Sequence, residues 1–137
     1  MENDKIHFAK CGKKEADFIQ DKLRTYNRRY ITDYQDFVYF LKSDSGKIYG
    51  GIAASKDNQR MTVDYLWVDE PVRSQGYGTK LLKHIENIAR ENKCTLVWLS
   101  TFGFQAPDFY IKNGYEVFGV LEKCISGYSQ FFFKKSL

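Results

Sequence analysis

Residues 63–92 constrain this chain more than any other stretch. They open as Val63-Asp64-Tyr65-Leu66-Trp67-Val68, pass through Gly76 and Gly78, and continue into a helical repeat. The opening reads as a buried strand and the glycines as a tight turn. The tail places Leu81, Leu82, Ile85, Ile88 and Ala89 on one helical stripe, and Lys80, Lys83, Glu86, Asn87 and Arg90 are expected largely on the other. A strand delivered through glycines into a helix N-terminus is a phosphate cradle. The free N–H groups of the first turn point at the anion, the helix dipole adds roughly half a positive charge, and the missing Cβ lets backbone approach phosphate.

The rest of the chain must fit around that unit. With 137 residues there is enough for one core and too little for two ordinary domains, so 1–137 is expected to be a single domain. The balance of 43% hydrophobic and 28% charged residues is that of a globular chain, and 2 Pro and 10 Gly leave no room for a long linker. No apolar run approaches the roughly 20 residues of a membrane span, and the polar start lacks a signal-peptide apolar region, so a cytoplasmic protein with no membrane role is expected. A net charge of +4 suits an anionic ligand such as a nucleotide. Basic residues adjoin only at Lys13-Lys14, Arg28-Arg29 and Lys134-Lys135, which is too little for a nucleic-acid stripe. Cys11, Cys94 and Cys124 lie far apart without a C-x-x-C pair, so free thiols are expected and no metal.

In chain order, residues 5–11 alternate and read as a first strand, and residues 15–30 as an amphipathic helix. Residues 36–42 and 47–55 form a hairpin across Ser43-Asp44-Ser45-Gly46, with Gly50-Gly51 marking a bulge or a close backbone contact. Residues 61–68 add a third meander strand. After the central helix, residues 95–99 are almost continuously apolar, as in a strand buried on both faces. Pro107 starts a brief helix that Gly114 ends, and two further strands follow at 115–121 and 128–134. An antiparallel front half thus joins a parallel crossover in one mixed sheet.

Arg73-Ser74-Gln75-Gly76-Tyr77-Gly78 resembles the R-x-x-G-x-G/A fingerprint of the GNAT superfamily of acyl-CoA-dependent N-acyltransferases. Downstream, Ala106-Pro107-Asp108-Phe109-Tyr110-Ile111-Lys112-Asn113-Gly114-Tyr115-Glu116 is similar to the family's A-x-x-F-Y-x-x-x-G-F/Y-E segment. The resemblance covers nearly the whole element order. It implies an α/β (mixed α+β) fold whose mostly antiparallel, twisted sheet has about seven strands, splays centrally and carries three to four helices. It implies acetyl-CoA as cosubstrate, with backbone N–H groups of Gln75, Gly76, Tyr77, Gly78 and Thr79 on the pyrophosphate, and Leu66, Trp67 and Val68 pairing with the pantetheine arm. Arg73 beside Ser74 either adds charge or braces the turn. Lys80 and Lys83 either meet the 3′-phosphate or form a solvated face. A homodimer is a family-level expectation.

The chemistry implied is direct transfer, through a ternary complex, of an acetyl group to a primary amine of a small molecule, peptide or protein. The Val68 N–H would donate to the thioester oxygen. Tyr110 matches the family tyrosine that lies near the coenzyme sulfur as general acid, and a phenol with a pKa of about 10 stays protonated at neutral pH. The alternatives are that Tyr110 packs in the core or only hydrogen-bonds the coenzyme. Asp64 is the first candidate for the base, ahead of Asp69 and Glu70; simple alternation puts Asp64, Leu66 and Val68 on one face and Tyr65, Trp67 and Asp69 on the other. Where many members have Asn, this chain has Gly103, with Ser100, Thr101 or Gln105 as possible substitutes. Phe102 and Phe104 line the wedge or fill the core. A competing reading is a non-catalytic acyl-CoA-binding or interaction module.

Overall fold

The computed structural model describes residues 4–137. These fall into two compact units, one ending at Thr32 and one spanning Asp33–Leu137. In the first, helix α1 (Lys13–Asn27) starts after Gly12, whose extended backbone serves as N-cap. The strand expected over residues 5–11 does not form. Ile6 and Phe8 carry the alternation, but among the described residues no neighbouring strand takes up their backbone groups, and an unpaired strand has nothing to hold it.

In the second unit, β1 (Tyr34–Lys42), β2 (Ile48–Asp57) and β3 (Arg60–Val68) form an antiparallel meander. A 3-10 turn (Glu70–Val72) leads to α2 (Tyr77–Glu91), which crosses over to β4 (Leu96–Phe102), parallel to β3. The short α3 (Pro107–Lys112) precedes β5 (Glu116–Ile125) and β6 (Tyr128–Ser136). The sheet has six strands in the order β1-β2-β3-β4-β6-β5, so the last strand slots between β4 and β5. The expected mixed, mostly antiparallel sheet is present, with one strand fewer than anticipated. Among the described residues, no helix is long and apolar enough to cross a membrane.

The core lies between this sheet and α2. Met61, Leu82, Ile85, Val97 and Phe133 are each 0% exposed, and full burial of such side chains stabilises by about 1.5–3 kcal/mol apiece. β4 is not buried on both faces: Val97, Leu99 and Thr101 point into the core while Ser100 is exposed and Trp98 rests edge-on against Phe118. Glu86 corrects the expected outer face of α2. It is 2% exposed, and Leu82, Ile85, Glu86 and Ala89 follow the i, i+3, i+4, i+7 rule of the buried stripe. Its carboxylate accepts from Tyr115 Oη at 2.8 Å and from Lys135 Nζ at 2.9 Å.

Candidate active site

β3 and β4 pair only at Arg60–Leu96, Met61–Val97 and Thr62–Trp98. Beyond Thr62 they part, and a cleft of about 1100 Å³ opens between them. A β-bulge sits at the point of departure. Ala53 pairs with Tyr65 but Ala54 with Val63, so Asp64 is the extra residue on β3, and a bulge bends its strand and increases its twist.

The bulge also corrects the face assignment. Met61 and Val63 are buried, and Leu66 and Val68, on the far side of the bulge, pack against the same core. Asp64 does not share their face. Its carboxyl lies near Ser55 and feels the charges of Asp36 and Asp57. Asp64 is exposed overall, and the partial desolvation of its carboxyl is the main cause that holds its pKa above the usual carboxylate value; Asp36 and Asp57 push the same way, and Ser55 partly offsets them. Tyr34 Oη donates to Asp36 Oδ1 at 2.9 Å beside this group, and that bond is the main reason its phenol pKa is raised.

At the end of β3, Asp69 gives its N–H to Tyr49 O at 2.7 Å. Successive strand residues aim their backbone groups to alternate sides, so Trp67 faces β2 as Asp69 does, while Leu66 and Val68 face the cleft. The Val68 carbonyl accepts from Arg73 Nε at 2.9 Å, which leaves the Val68 N–H for an incoming acceptor. Arg73 therefore braces the turn. Gly50 lets β2 lie close enough to hold this end of β3, since a Cβ there would sit 2.6 Å from Trp67 O and 3.2 Å from Val68 Cα. Gly50 thus makes the close backbone contact its sequence allowed, and the register of β1 against β2 also shifts beside it, where Leu41 pairs with Gly50 but Lys42 with Ile48.

The turn after Arg73 puts Ser74 at φ +62 and Gly76, the N-cap of α2, at φ +84. The first helical bond is Lys80 N–H to Gly76 O at 3.1 Å, so the N–H groups of residues 77–79 have no intrahelical acceptor. No side chain caps this end and its first turn holds no acidic residue. Such an end is open to an external anion. The two glycines differ in purpose. Gly76 supplies the positive φ, with open space around a notional Cβ, whereas a Cβ on Gly78 would meet Phe109 Cζ at 3.2 Å. Gly78 thus serves packing between α2 and α3 and joins the two sequence motifs physically. Lys80 lies over the Tyr77 ring at 5.4 Å.

Of the residues singled out from the sequence, Asp64, Leu66, Trp67, Val68, Arg73, Ser74, Gly76, Tyr77, Gly78, Thr79 and Tyr110 all line the cleft, and Gln75 does not. Tyr110 packs among Phe109, Tyr115 and Phe133. Burial pushes its phenol up to about 12. Gly103 stays out of the lining and gives its N–H to Ser129 O. Gln105 does line it. Its Oε1 accepts from Thr101 Oγ1 and from the Phe102 N–H, both at 2.8 Å, which leaves its amide nitrogen as a donor. Phe104 lines the cleft, and Phe102 stacks on it at 5.2 Å.

A family model described as acetyltransferase (GNAT) family matches residues 8–115. The chain belongs to that family. This GNAT acyltransferase is 34% identical over 82 residues to a blasticidin-S acetyltransferase of Streptomyces morookaense, a stretch that is 59% of this chain and 60% of the relative's length. It superposes on the crystal structure of an acetyltransferase from Bacillus cereus ATCC 14579 with a TM-score of 0.88 and 40% identity, covering 96% and 98% of the two chains. An aminoglycoside 6′-N-acetyltransferase solved with coenzyme A shares the fold, with a TM-score of 0.66 at 15% identity over 87% of this chain and 91% of that one.

The cleft fits the family's donor, acetyl-CoA. It joins an uncapped helix N-terminus to a strand edge with free backbone groups, as a molecule with a pyrophosphate at one end and an amide-containing arm requires. Among the described residues no group of three or more His, Cys, Asp or Glu is placed to hold a metal ion.

Proposed function

We propose that this acyltransferase moves the acetyl group of acetyl-CoA directly to the primary amine of a small cationic molecule. The observation that carries this reading is the parting of β3 and β4 at the Asp64 bulge, which puts the Asp64 carboxylate at the edge of a donor cleft, with Asp36 of β1 and Asp57 of β2 near it. When bound, acetyl-CoA supplies an activated thioester.

The chain's own residues supply the rest. Residues 76–79 hold the pyrophosphate through backbone N–H groups, and Leu66 and Val68 align the arm. The amide nitrogen of Gln105 donates to it in place of the family Asn. The Val68 N–H polarises the thioester carbonyl, an oxyanion-hole role. Asp64 removes a proton from the incoming ammonium, and Asp36 draws a cation toward it, while Asp57 is ion-paired with Arg60. Tyr110 donates a hydrogen bond to the departing sulfur. Complete proton transfer from a phenol at about 12 to a thiolate near 8.5 spans more than three pKa units, roughly 5 kcal/mol uphill, so hydrogen bonding is the favoured role.

The acceptor class is tested by following free thiol release over blasticidin S, streptothricins, aminoglycosides, polyamines, amino acids and peptides. Turnover is expected with polycationic small molecules; a panel in which no amine releases thiol would sink the enzyme reading, and turnover confined to neutral amines or peptides would sink the cationic acceptor. The blasticidin S arm follows from the Streptomyces relative.

Asp64→Asn is expected to reduce kcat by about a hundredfold, within the range for loss of a general base, while leaving the melting temperature at neutral pH unchanged or higher. The sign follows from its raised pKa. The fold favours the protonated form, so the ionised carboxylate detracts from stability at pH 7, and that penalty is relieved only as pH falls through the folded-state value. The wild-type rate should correspondingly rise with pH through a limb above the ordinary carboxylate range. A normal rate for Asp64→Asn would remove it as base.

A further inference from the structure

We propose that Glu86, Tyr115 and Lys135 form a brace that positions Tyr110 for acyl transfer, and that they act on the reaction only through that tyrosine. This rests on the role proposed above for Tyr110. α3 cannot place the tyrosine alone. It has six residues, none of them fully buried, and lacks a side-chain N-cap, and a helix this short is not stable by itself. Its position has to come from what it leans on.

At its N-terminal half, Phe109 rests against Gly78 of α2. At its C-terminal end the brace takes over. Lys135 Nζ donates to Asn113 O at 3.0 Å, at the C-cap of α3, and to Glu86 Oε1 at 2.9 Å. The ammonium therefore bridges α3 to α2, on the side of a helix terminus that favours positive charge. Tyr115 Oη donates to the other carboxylate oxygen at 2.8 Å, while its N–H donates to Tyr110 O at 3.0 Å. The Tyr115 ring meets the Tyr110 ring edge-on at 6.1 Å. Tyr110 is thus fixed by backbone and ring from one residue whose hydroxyl is anchored to a buried carboxylate. None of the three brace residues lines the cleft proposed for the donor. A displacement on the order of 1 Å at a reacting group can reduce a rate a hundredfold, so a brace of this kind has a kinetic signature.

The test is a double-mutant cycle in kcat. Tyr115→Phe removes one hydroxyl and keeps the ring. It is expected to lower kcat about tenfold and to leave the KM for acetyl-CoA within about twofold. In a Tyr110→Phe background the same substitution should change kcat by less than about twofold, because two residues acting through one group are not additive. Equal losses in both backgrounds, or no loss from Tyr115→Phe alone, would overturn the brace while leaving the role of Tyr110 intact. A Tyr110→Phe enzyme with undiminished kcat would instead overturn the role of Tyr110, and the brace with it. If Tyr115→Phe does not fold, Glu86→Gln takes its place in the cycle with the same expected non-additivity. A purely structural role would lower the melting temperature equally in both backgrounds and leave the kcat losses additive.

Discussion

Tyr110→Phe is expected to lower kcat by about a hundredfold and to leave the KM for acetyl-CoA within about threefold. Tyr110 lines a cleft shared with the strand edge at Val68 and the N-terminus of α2, and burial holds its phenol protonated at every pH an assay will reach. Loss of a single preorganised donor to developing negative charge typically lowers kcat by about 10²–10³-fold, and the lower figure suits a donor to sulfur. The ring is retained in the variant, so its packing against Phe133 and Tyr115 should survive and the melting temperature should stay within a few degrees. The check is steady-state kinetics with a saturating acceptor, alongside a thermal melt. An unchanged kcat would show that Tyr110 serves only the core. The pH dependence carries a second signature: a group with a pKa of about 12 gives no alkaline limb between roughly pH 7 and 10, so any fall in rate in that window must come from another residue.

The largest expected effect on stability is that of Lys135→Met. Glu86 is 2% exposed and Lys135 is its ionic partner. Without the ammonium a buried carboxylate keeps only the Tyr115 hydroxyl, and removal of one member of such a pair costs about 3–5 kcal/mol. For a chain of this size that corresponds to a fall in melting temperature of roughly 10–15 °C. The Asn113 carbonyl would lose its donor as well. Because a buried pair can often be exchanged for apolar residues with little loss, the double variant Glu86→Leu/Lys135→Met should recover most of the deficit. Thermal or urea melts of the two single variants and the double variant decide it: near-additive losses would mean that the ion pair itself is not the source of the effect.

Several features of the site are legible in the sequence because their signals are local. Gly76 must supply a positive φ where a strand turns into a helix, and Arg73, Gly78, Phe109 and Tyr110 stand at fixed offsets from it. Gly50 carries its mark too, as one of two glycines inside a strand. Other residues mislead for identifiable reasons. The charge of Glu86 points to solvent, although its spacing from Leu82 and Ile85 places it inside; the partner that makes burial tolerable lies 49 residues later. Strict alternation puts Asp64 on the face of Leu66 and Val68, and a single extra residue on β3 overturns that. Gln105 is one of three possible substitutes for the family Asn. What orients its amide is the occupation of its oxygen by Thr101 and the Phe102 N–H.

From the order of residues alone come the strand, the tight glycine turn, the amphipathic helix and the second motif with its tyrosine, because backbone sterics and helical periodicity act between near neighbours. Folding of the whole chain decides where β3 leaves β4, which way Asp64 faces, and what anchors α3. Each of these depends on pairings between distant segments — β2 against β3, β6 against β4, α2 against Lys135 — whose free energy no short stretch of sequence contains.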